Sequence, residues 1–239
     1  MVKNIEFHFD FGSPTAYLAY TQLKLIAERN ETKIEYYPIL LGGVFKATGN
    51  NPPAAVPAKG KYMMVDLQRY ANKYGVPYER NPYFPVNTLA LMRGAVSYQD
   101  DGDFIKYIEV MFRNMWIEPK NLNDEEVLKK VLIENNFDVE DFIRRITDQN
   151  VKDKLISNTE NAVNKGAFGA PTFFLNNEMF FGQDRLEFIV RRAIQANLTM
   201  GENLSKYIAS SFSDNDDYKK ILSLRVDNVK NSLKITNDY

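Results

Sequence analysis

The chain has 239 residues, 44% apolar and 26% charged, with 30 Lys and Arg set against 31 Asp and Glu. Its 16 Phe, 14 Tyr, 12 Gly and 10 Pro exclude disorder and collagen-like repeats, and a net charge of −1 gives no electrostatic footprint for nucleic acid or an anionic membrane. Cysteine is absent, which excludes disulfides, thiolate metal sites and protein thiol chemistry, and a single histidine, His8, argues against a multi-histidine metal centre or a Ser-His-Asp triad. Any reactive group an enzyme of this composition uses is therefore expected to arrive with a ligand, and no metal site is expected.

In chain order, Ile5, Phe7, Phe9 and Phe11 alternate with Glu6, His8 and Asp10, the period of a strand. The same alternation is unlike the apolar core of a signal peptide, and no window approaches 18 consecutive apolar residues, so a soluble, cytoplasmic protein is expected. Ser13 before Pro14 fits an N-cap with proline at the first helical position, opening a helix through Arg29. A short strand over 33–38 completes a strand–helix–strand unit, which predicts parallel pairing with a right-handed crossover. Residues 41–57 hold three Gly and three Pro and cannot be regular throughout.

Helical periodicity then dominates. A helix is expected from about Lys61 to Tyr74, closed by Gly75 and Pro77, with others over 88–98, 103–115, 124–134, 139–146 and 151–165. Asn123 and Glu126 form an approximate capping signature for the fourth of these six. Trp116 and the Met/Phe-rich stripe from Phe104 to Met115 read as helical core. After Pro171, residues 172–175 read as a strand, Asn176-Asn177 as a hairpin turn and 179–181 as the returning strand. Gly182-Gln183-Asp184 opens a last helix with Leu186, Ile189, Val190, Ala193 and Ile194 on one face, and Asp184 with Glu187 predicts an N-terminal cap. Residues 197–239 read as an appended tail.

Five segments then carry a resemblance in order. They are Asp10-Phe11-Gly12-Ser13-Pro14-Thr15-Ala16-Tyr17, Thr48-Gly49-Asn50-Asn51-Pro52-Pro53, Pro57-Ala58-Lys59, Gly166-Ala167-Phe168-Gly169-Ala170-Pro171 and Gly182-Gln183-Asp184-Arg185. Over about residues 3–195 the sequence resembles the DsbA-like branch that holds kappa-class glutathione transferases and 2-hydroxychromene-2-carboxylate isomerases. The resemblance implies an α/β architecture: a discontinuous thioredoxin-like domain (1–40 and 166–196), a large all-helical insertion (41–165) and a C-terminal extension (197–239). Phe84-Pro85-Val86-Asn87-Thr88-Leu89 and Met92-Arg93-Gly94-Ala95 look more like the isomerases. Phe181 before the Gly-x-Asp-Arg motif looks like the transferases, since isomerases often have tryptophan there.

The resemblance also implies roles. Ser13 sits where redox relatives place their attacking cysteine; it cannot exchange disulfides, but it can donate a hydrogen bond to the thiolate of bound glutathione at a helix N-terminus. Read without the family, it is an ordinary N-cap. Pro171 matches the family's cis-proline, which would leave the Ala170 backbone free to pair with the cysteinyl part of glutathione. Asp184 would hold the ammonium and Arg185 and Lys59 the carboxylates, with Asn50 positioning the peptide; alone, Asp184 reads as a cap and Lys59 as a solvated lysine. Asn87 and Arg93 are candidates for a substrate carboxylate, and His8 is assigned no role.

The implied function is a glutathione-dependent isomerase. The cofactor's sulfur adds reversibly to a conjugated aromatic keto acid, bond rotation follows, and elimination regenerates glutathione. A kappa-like transferase acting on electrophiles is the second reading, and a redox-inactive DsbA-like peptide-binding module the third. The charge pattern of Lys59, Asp184 and Arg185 argues against the third. A homodimer with a small-molecule substrate, and neither nucleic acid nor membrane as partner, completes the expectation.

Overall fold

The computed structural model describes residues 4–29 and 32–192. Residues through Glu187 form one compact unit, and those from Phe188 a second. In the first, four strands form one sheet in the order β2-β1-β3-β4, with β1 at Asn4–Phe9, β2 at Lys33–Pro38, β3 at Thr172–Leu175 and β4 at Glu178–Phe181. β1 and β2 are parallel and joined by α1 (Pro14–Arg29), as the opening pattern predicts, while β3 is antiparallel to both β1 and β4. Asn176 and Asn177 turn the β3–β4 hairpin with φ of 53° and 65°, the left-handed pair a two-residue turn needs.

Seven further helices follow β2 before the chain returns to the sheet: α2 Leu41–Thr48, α3 Pro57–Tyr74, α4 Leu89–Ser97, α5 Phe104–Trp116, α6 Glu125–Glu134, α7 Val139–Thr147 and α8 Gln149–Asn164. Most boundaries shift by one or two residues from the sequence reading, residues 41–48 of the Gly/Pro-rich stretch form α2, and three differences have clear local reasons. The first strand stops at Phe9, because Asp10 turns its carboxylate back onto the Gly12 N–H at 2.8 Å. α3 starts four residues early, on Pro57, whose missing N–H costs nothing at a helix start. Asp124 rather than Asn123 caps α6, accepting from the Glu126 and Val127 N–H groups, and Asn123 instead accepts from the Asn87 N–H at 2.7 Å. Of the last predicted helix, Ala193 and Ile194 lie outside the described residues, as does the tail over 197–239. Among the described residues, no helix is long and apolar enough to cross a membrane.

The strand alternation sorts the core. Phe173, Phe7, Phe9 and Phe11 form a run of ring contacts on one face of the sheet that reaches Phe112 of α5, with centroids 5.0–5.6 Å apart, the first two contacts stacked and the last two edge-on. The α5 stripe of Phe104, Ile108, Met111 and Met115 is buried as core. The opposite face collects Ile39, Val44, Ala162, Ala167, Ala170 and Phe174. His8 also points there, away from the phenylalanine face, as the alternation implies. It is 2% exposed, stacked on Tyr37 at 4.7 Å and edge-on to Phe174, with Nε2 3.0 Å from a Glu6 carboxylate that Lys165 also engages.

One buried carboxylate ties the segments that carry the site. Asp10 is fully buried; one oxygen accepts from the Gly12 N–H and the other from the Leu41 N–H, each at 2.8 Å, and Thr88 adds its hydroxyl. The β1–α1 loop, the start of α2 and the residue before α4 are thereby held on one side chain. Phe11 is gripped at both main-chain groups: Trp116 Nε1 donates to its carbonyl at 2.8 Å, and its N–H lies 3.4 Å from Met92 Sδ.

Two predictions follow from this packing. Asp10→Asn removes one acceptor and sets an NH2 against a backbone N–H, so unfolding stability should fall by about 1–3 kcal/mol, read by chemical denaturation; a change below about 0.5 kcal/mol would mean the three donors are satisfied elsewhere. The second concerns His8, whose burial holds its pKa below the ordinary value despite the Glu6 hydrogen bond. The unfolded chain then takes up the proton first as pH falls through about 6.5, so stability is full above that pH and declines below it. Tm should drop between pH 7.5 and 5.5, and His8→Phe should flatten that drop; parallel profiles for the two proteins would remove His8 as the cause.

Candidate active site

Ser13 caps α1. Its carbonyl accepts the Ala16 and Tyr17 N–H groups at 3.0 and 3.2 Å, and its Oγ accepts from the Ala16 N–H at 3.1 Å. Pro14 supplies no N–H and the first turn holds no acidic side chain, so the positive end of α1 is not offset by its own residues. Ser13 is only 4% exposed. Its hydroxyl donates to the Ala170 carbonyl at 2.8 Å and lies 2.9 Å from Thr15 Oγ1, which is itself 3.3 Å from the same carbonyl. Capping and candidate chemistry thus use the same oxygen.

The Ala170–Pro171 peptide bond is cis. The expectation of a wholly free Ala170 backbone needs correction: two hydroxyls already converge on its carbonyl, and only its N–H is without a protein partner among the described residues. The segment around it gathers the other candidates. Asn50 Nδ2 donates to the Phe168 carbonyl at 2.8 Å, which brings the α2–α3 loop against the residues before Pro171. The Pro171 carbonyl accepts from the Gly182 N–H at 3.0 Å, which sets the Gly182–Arg185 turn beside it.

Gly182 has φ of 98°, and a Cβ there would lie 2.5 Å from Asp184 Oδ1, so glycine is required on both counts. Asp184 does not act as the cap its spacing predicts. It lies inside a single 3-10 turn over Gln183–Arg185 and pairs with Arg185 at 2.7 Å. That turn packs against α3, where Tyr74 Oη donates to the Gln183 carbonyl at 3.0 Å and Asp184 lies near enough to Tyr70 to help raise its pKa, after the larger effect of burial. Lys59 is exposed near the other end of α3, about 16 Å along the axis from Tyr70 at 1.5 Å per residue. The structure does not bring Lys59 into contact with Ser13.

Asn87 and Arg93 lie beside Thr88 and Met92, which touch the Asp10–Gly12 loop, and no hydrogen bond joins either to Ser13 among the described residues. Asn87 Oδ1 accepts from the Leu89 N–H at 3.0 Å, which occupies its acceptor in starting α4, and its neighbour Thr88 touches both Asp10 and the space beside Gly12. Arg93 follows Met92, and its buried Nε has no hydrogen-bond partner among the described residues. On the other side the Phe168 and Phe181 rings lie 4.4 Å apart, tilted at 46°, and a Cβ on Gly169 would come within 2.8 Å of Phe181.

Three contributors escaped the sequence reading. Asp10 was legible only as a polar strand position, although an acid two residues before Gly12-Ser13-Pro14 was a signal. Thr15 and Thr88 carried none, because their partners lie far along the chain.

Comparisons with known proteins agree with this fold. The family model described as a DSBA-like thioredoxin domain matches residues 4–194. The chain is 32% identical over 197 residues to a 2-hydroxychromene-2-carboxylate isomerase of Sphingobium xenophagum, covering 79% of this chain and 97% of that protein. It is 31% identical to glutathione S-transferase kappa 1 of Caenorhabditis elegans, covering 79% and 89%. Among solved structures, a 2-hydroxychromene-2-carboxylate isomerase superposes with a TM-score of 0.73 at 28% identity, covering 84% of this chain and 98% of that one. The chain belongs to the DSBA-like thioredoxin-domain family, alongside the 2-hydroxychromene-2-carboxylate isomerases and the kappa-class glutathione transferases.

Proposed function

We propose that this chain is a glutathione-dependent isomerase of the 2-hydroxychromene-2-carboxylate type, acting on a conjugated aromatic keto acid. The observation that carries the reading is a hydroxyl in place of a thiol at the α1 N-terminus, 2.8 Å from the carbonyl that precedes cis-Pro171. Glutathione, when bound, supplies the sulfur nucleophile that a chain without cysteine lacks. Ser13 donates a hydrogen bond to the thiolate, and the unopposed N-terminus of α1 adds its field. A free thiol titrates near ~8.5, and lowering that by two units requires about 2.7 kcal/mol. A hydrogen bond to a charged group contributes roughly 1.5–3 kcal/mol and a helix end about 0.3–1 kcal/mol, which together match the requirement.

The remaining donors suit a small charged peptide. The unpartnered Ala170 N–H offers one strand-like hydrogen bond beside Pro171, and Asn50 borders the same backbone. Asp184 takes an ammonium while Arg185 and Lys59 take carboxylates, an arrangement a general peptide groove would not need. Asn87, through its amide N–H2, and Arg93, whose buried Nε has no partner among the described residues, anchor the substrate carboxylate. The name of the isomerase relatives favours this substrate class. A second reading, conjugation of an electrophile, is favoured by the kappa-class relative and by Phe181, the transferase-like residue, which leans on Phe168 beside the cis-proline. Activity in the cytoplasm as a homodimer is part of the same proposal.

Two measurements test it. The protein should turn over 2-hydroxychromene-2-carboxylate with catalytic glutathione whose free thiol is undiminished at the end. Thiol lost one for one with an aryl halide, without chromene turnover, would assign the chain to the transferases. Thiolate absorbance against pH should place the pKa of bound glutathione well below its free value, and Ser13→Ala should raise it by more than one unit, about 1.4 kcal/mol. A Ser13→Ala protein that binds glutathione with the same depressed pKa would take Ser13 out of the chemistry.

A further inference from the structure

The Ser13 hydroxyl is already committed. Counting its capacity, one lone pair accepts the Ala16 N–H at 3.1 Å, and its only proton points to the Ala170 carbonyl at 2.8 Å. Donating to a ligand sulfur means turning that proton away from Ala170 O, a carbonyl with only the Ser13 and Thr15 hydroxyls in reach among the described residues, and Thr15 has one proton to give either to it or to Ser13 Oγ. Ala170 is itself buried, 9% exposed, so its carbonyl oxygen cannot count on water as a replacement donor. Turning Ser13 alone would leave a buried acceptor unpaired.

We propose that Thr15 is a positioning residue that frees the Ser13 proton by taking over the Ala170 carbonyl. In the resting arrangement the Thr15 hydroxyl, 2.9 Å from Ser13 Oγ, donates to the second lone pair of that oxygen. When a sulfur anion accepts from Ser13, the Thr15 hydroxyl turns to Ala170 O, 3.3 Å away. Two O–H groups rotate; no covalent bond forms or breaks, and the proton count is unchanged. Ala170 O keeps one donor in both arrangements, and Ser13 keeps the Ala16 N–H that fixes its rotamer. Thr15 is half-buried in the first turn of α1, where a threonine side chain has no capping duty because Ser13 performs it. A valine at the same position would keep the shape and lose the switch.

This inference rests on the glutathione reading, and the test separates the two. Thiolate absorbance of bound glutathione is followed against pH in wild type, Thr15→Val, Thr15→Ser, Ser13→Ala and the Thr15→Val/Ser13→Ala double variant. Affinity for S-methylglutathione, which has no ionisable thiol, is measured in parallel. Thr15→Val should raise the bound thiol pKa by about one unit, a tenfold loss of thiolate stabilisation, while S-methylglutathione affinity stays within about twofold. Thr15→Ser should restore the wild-type value, and Thr15→Val should add nothing once Ser13 is alanine. An unshifted pKa in Thr15→Val, a shift that persists in the Ser13→Ala background, or no rescue by serine would overturn the role of Thr15 and leave the glutathione reading standing. A wild-type protein whose bound glutathione titrates like the free thiol would overturn both.

Discussion

The geometry of the centre depends on the burial of the Asp10 carboxylate. Removing an ionised carboxylate from water costs several kcal/mol even after relaxation, and no cation pairs with it among the described residues. Burial raises its pKa, while the Leu41 and Gly12 N–H groups and the Thr88 hydroxyl pull in the other direction. Each hydrogen bond to a charged group contributes about 1.5–3 kcal/mol, so three of them are of the same order as the cost. The net gain in stability is small and the gain in position is large. All three donors must be present together, and they come from the Ser13 loop, from α2 and from the residue that precedes α4. Trp116 and Met92 complete the constraint by holding Phe11 from two helices.

A second point of convergence lies across from Ser13. The loop before Pro171 offers successive carbonyls to different partners: Phe168 to Asn50, Gly169 to Thr172, Ala170 to Ser13 and Thr15, and Pro171 to Gly182. Groups widely separated in sequence are thus referred to one short stretch of backbone. Main-chain recognition of this kind tolerates side-chain change at Ala170, whereas Gly169 is confined by the Phe181 ring and Gly182 by its φ and by Asp184.

Much of this was legible from the amino-acid sequence, and the reasons are local. Period-2 alternation identified β1, Asn-Asn identified the hairpin turn and apolar stripes identified the helices, because each signal lies within a few residues of what it determines. Cap residues were misplaced by one at α6, where Asn123 and Asp124 are chemically alike and only the fold sends Asn123 to Asn87. Alternation sets His8 on the face away from the phenylalanines but cannot say that this second face is also covered; Tyr37 and Phe174 cover it. Ser13 and Pro171 came from motif resemblance, and Asp184 was read as a cap because D-x-x-E is local while its partner Arg185 and the turn geometry are not periodic features. Asp10, Thr15 and Thr88 act through contacts whose other half is distant in sequence, so periodicity held no trace of them.

The absence of thiols and the arrangement of hydroxyls are two aspects of one design constraint. A cysteine at position 13 would be a poor hydrogen-bond donor to another sulfur, since S–H donates weakly, whereas a serine hydroxyl is a strong donor of nearly fixed reach. The anion it is proposed to serve would sit at the positive end of α1 yet close to the Asp10 segment, whose carboxylate would oppose it if ionised and unshielded. Its hydrogen bonds reduce that opposition. The three donors that hold the carboxylate set the positive ends of their dipoles against its charge. The helix end, free of acidic side chains in its first turn, is left to act on the ligand. The same residue that fixes the loop in space would therefore be the most damaging charge in its neighbourhood, and its complete burial among donors is what makes the two roles compatible.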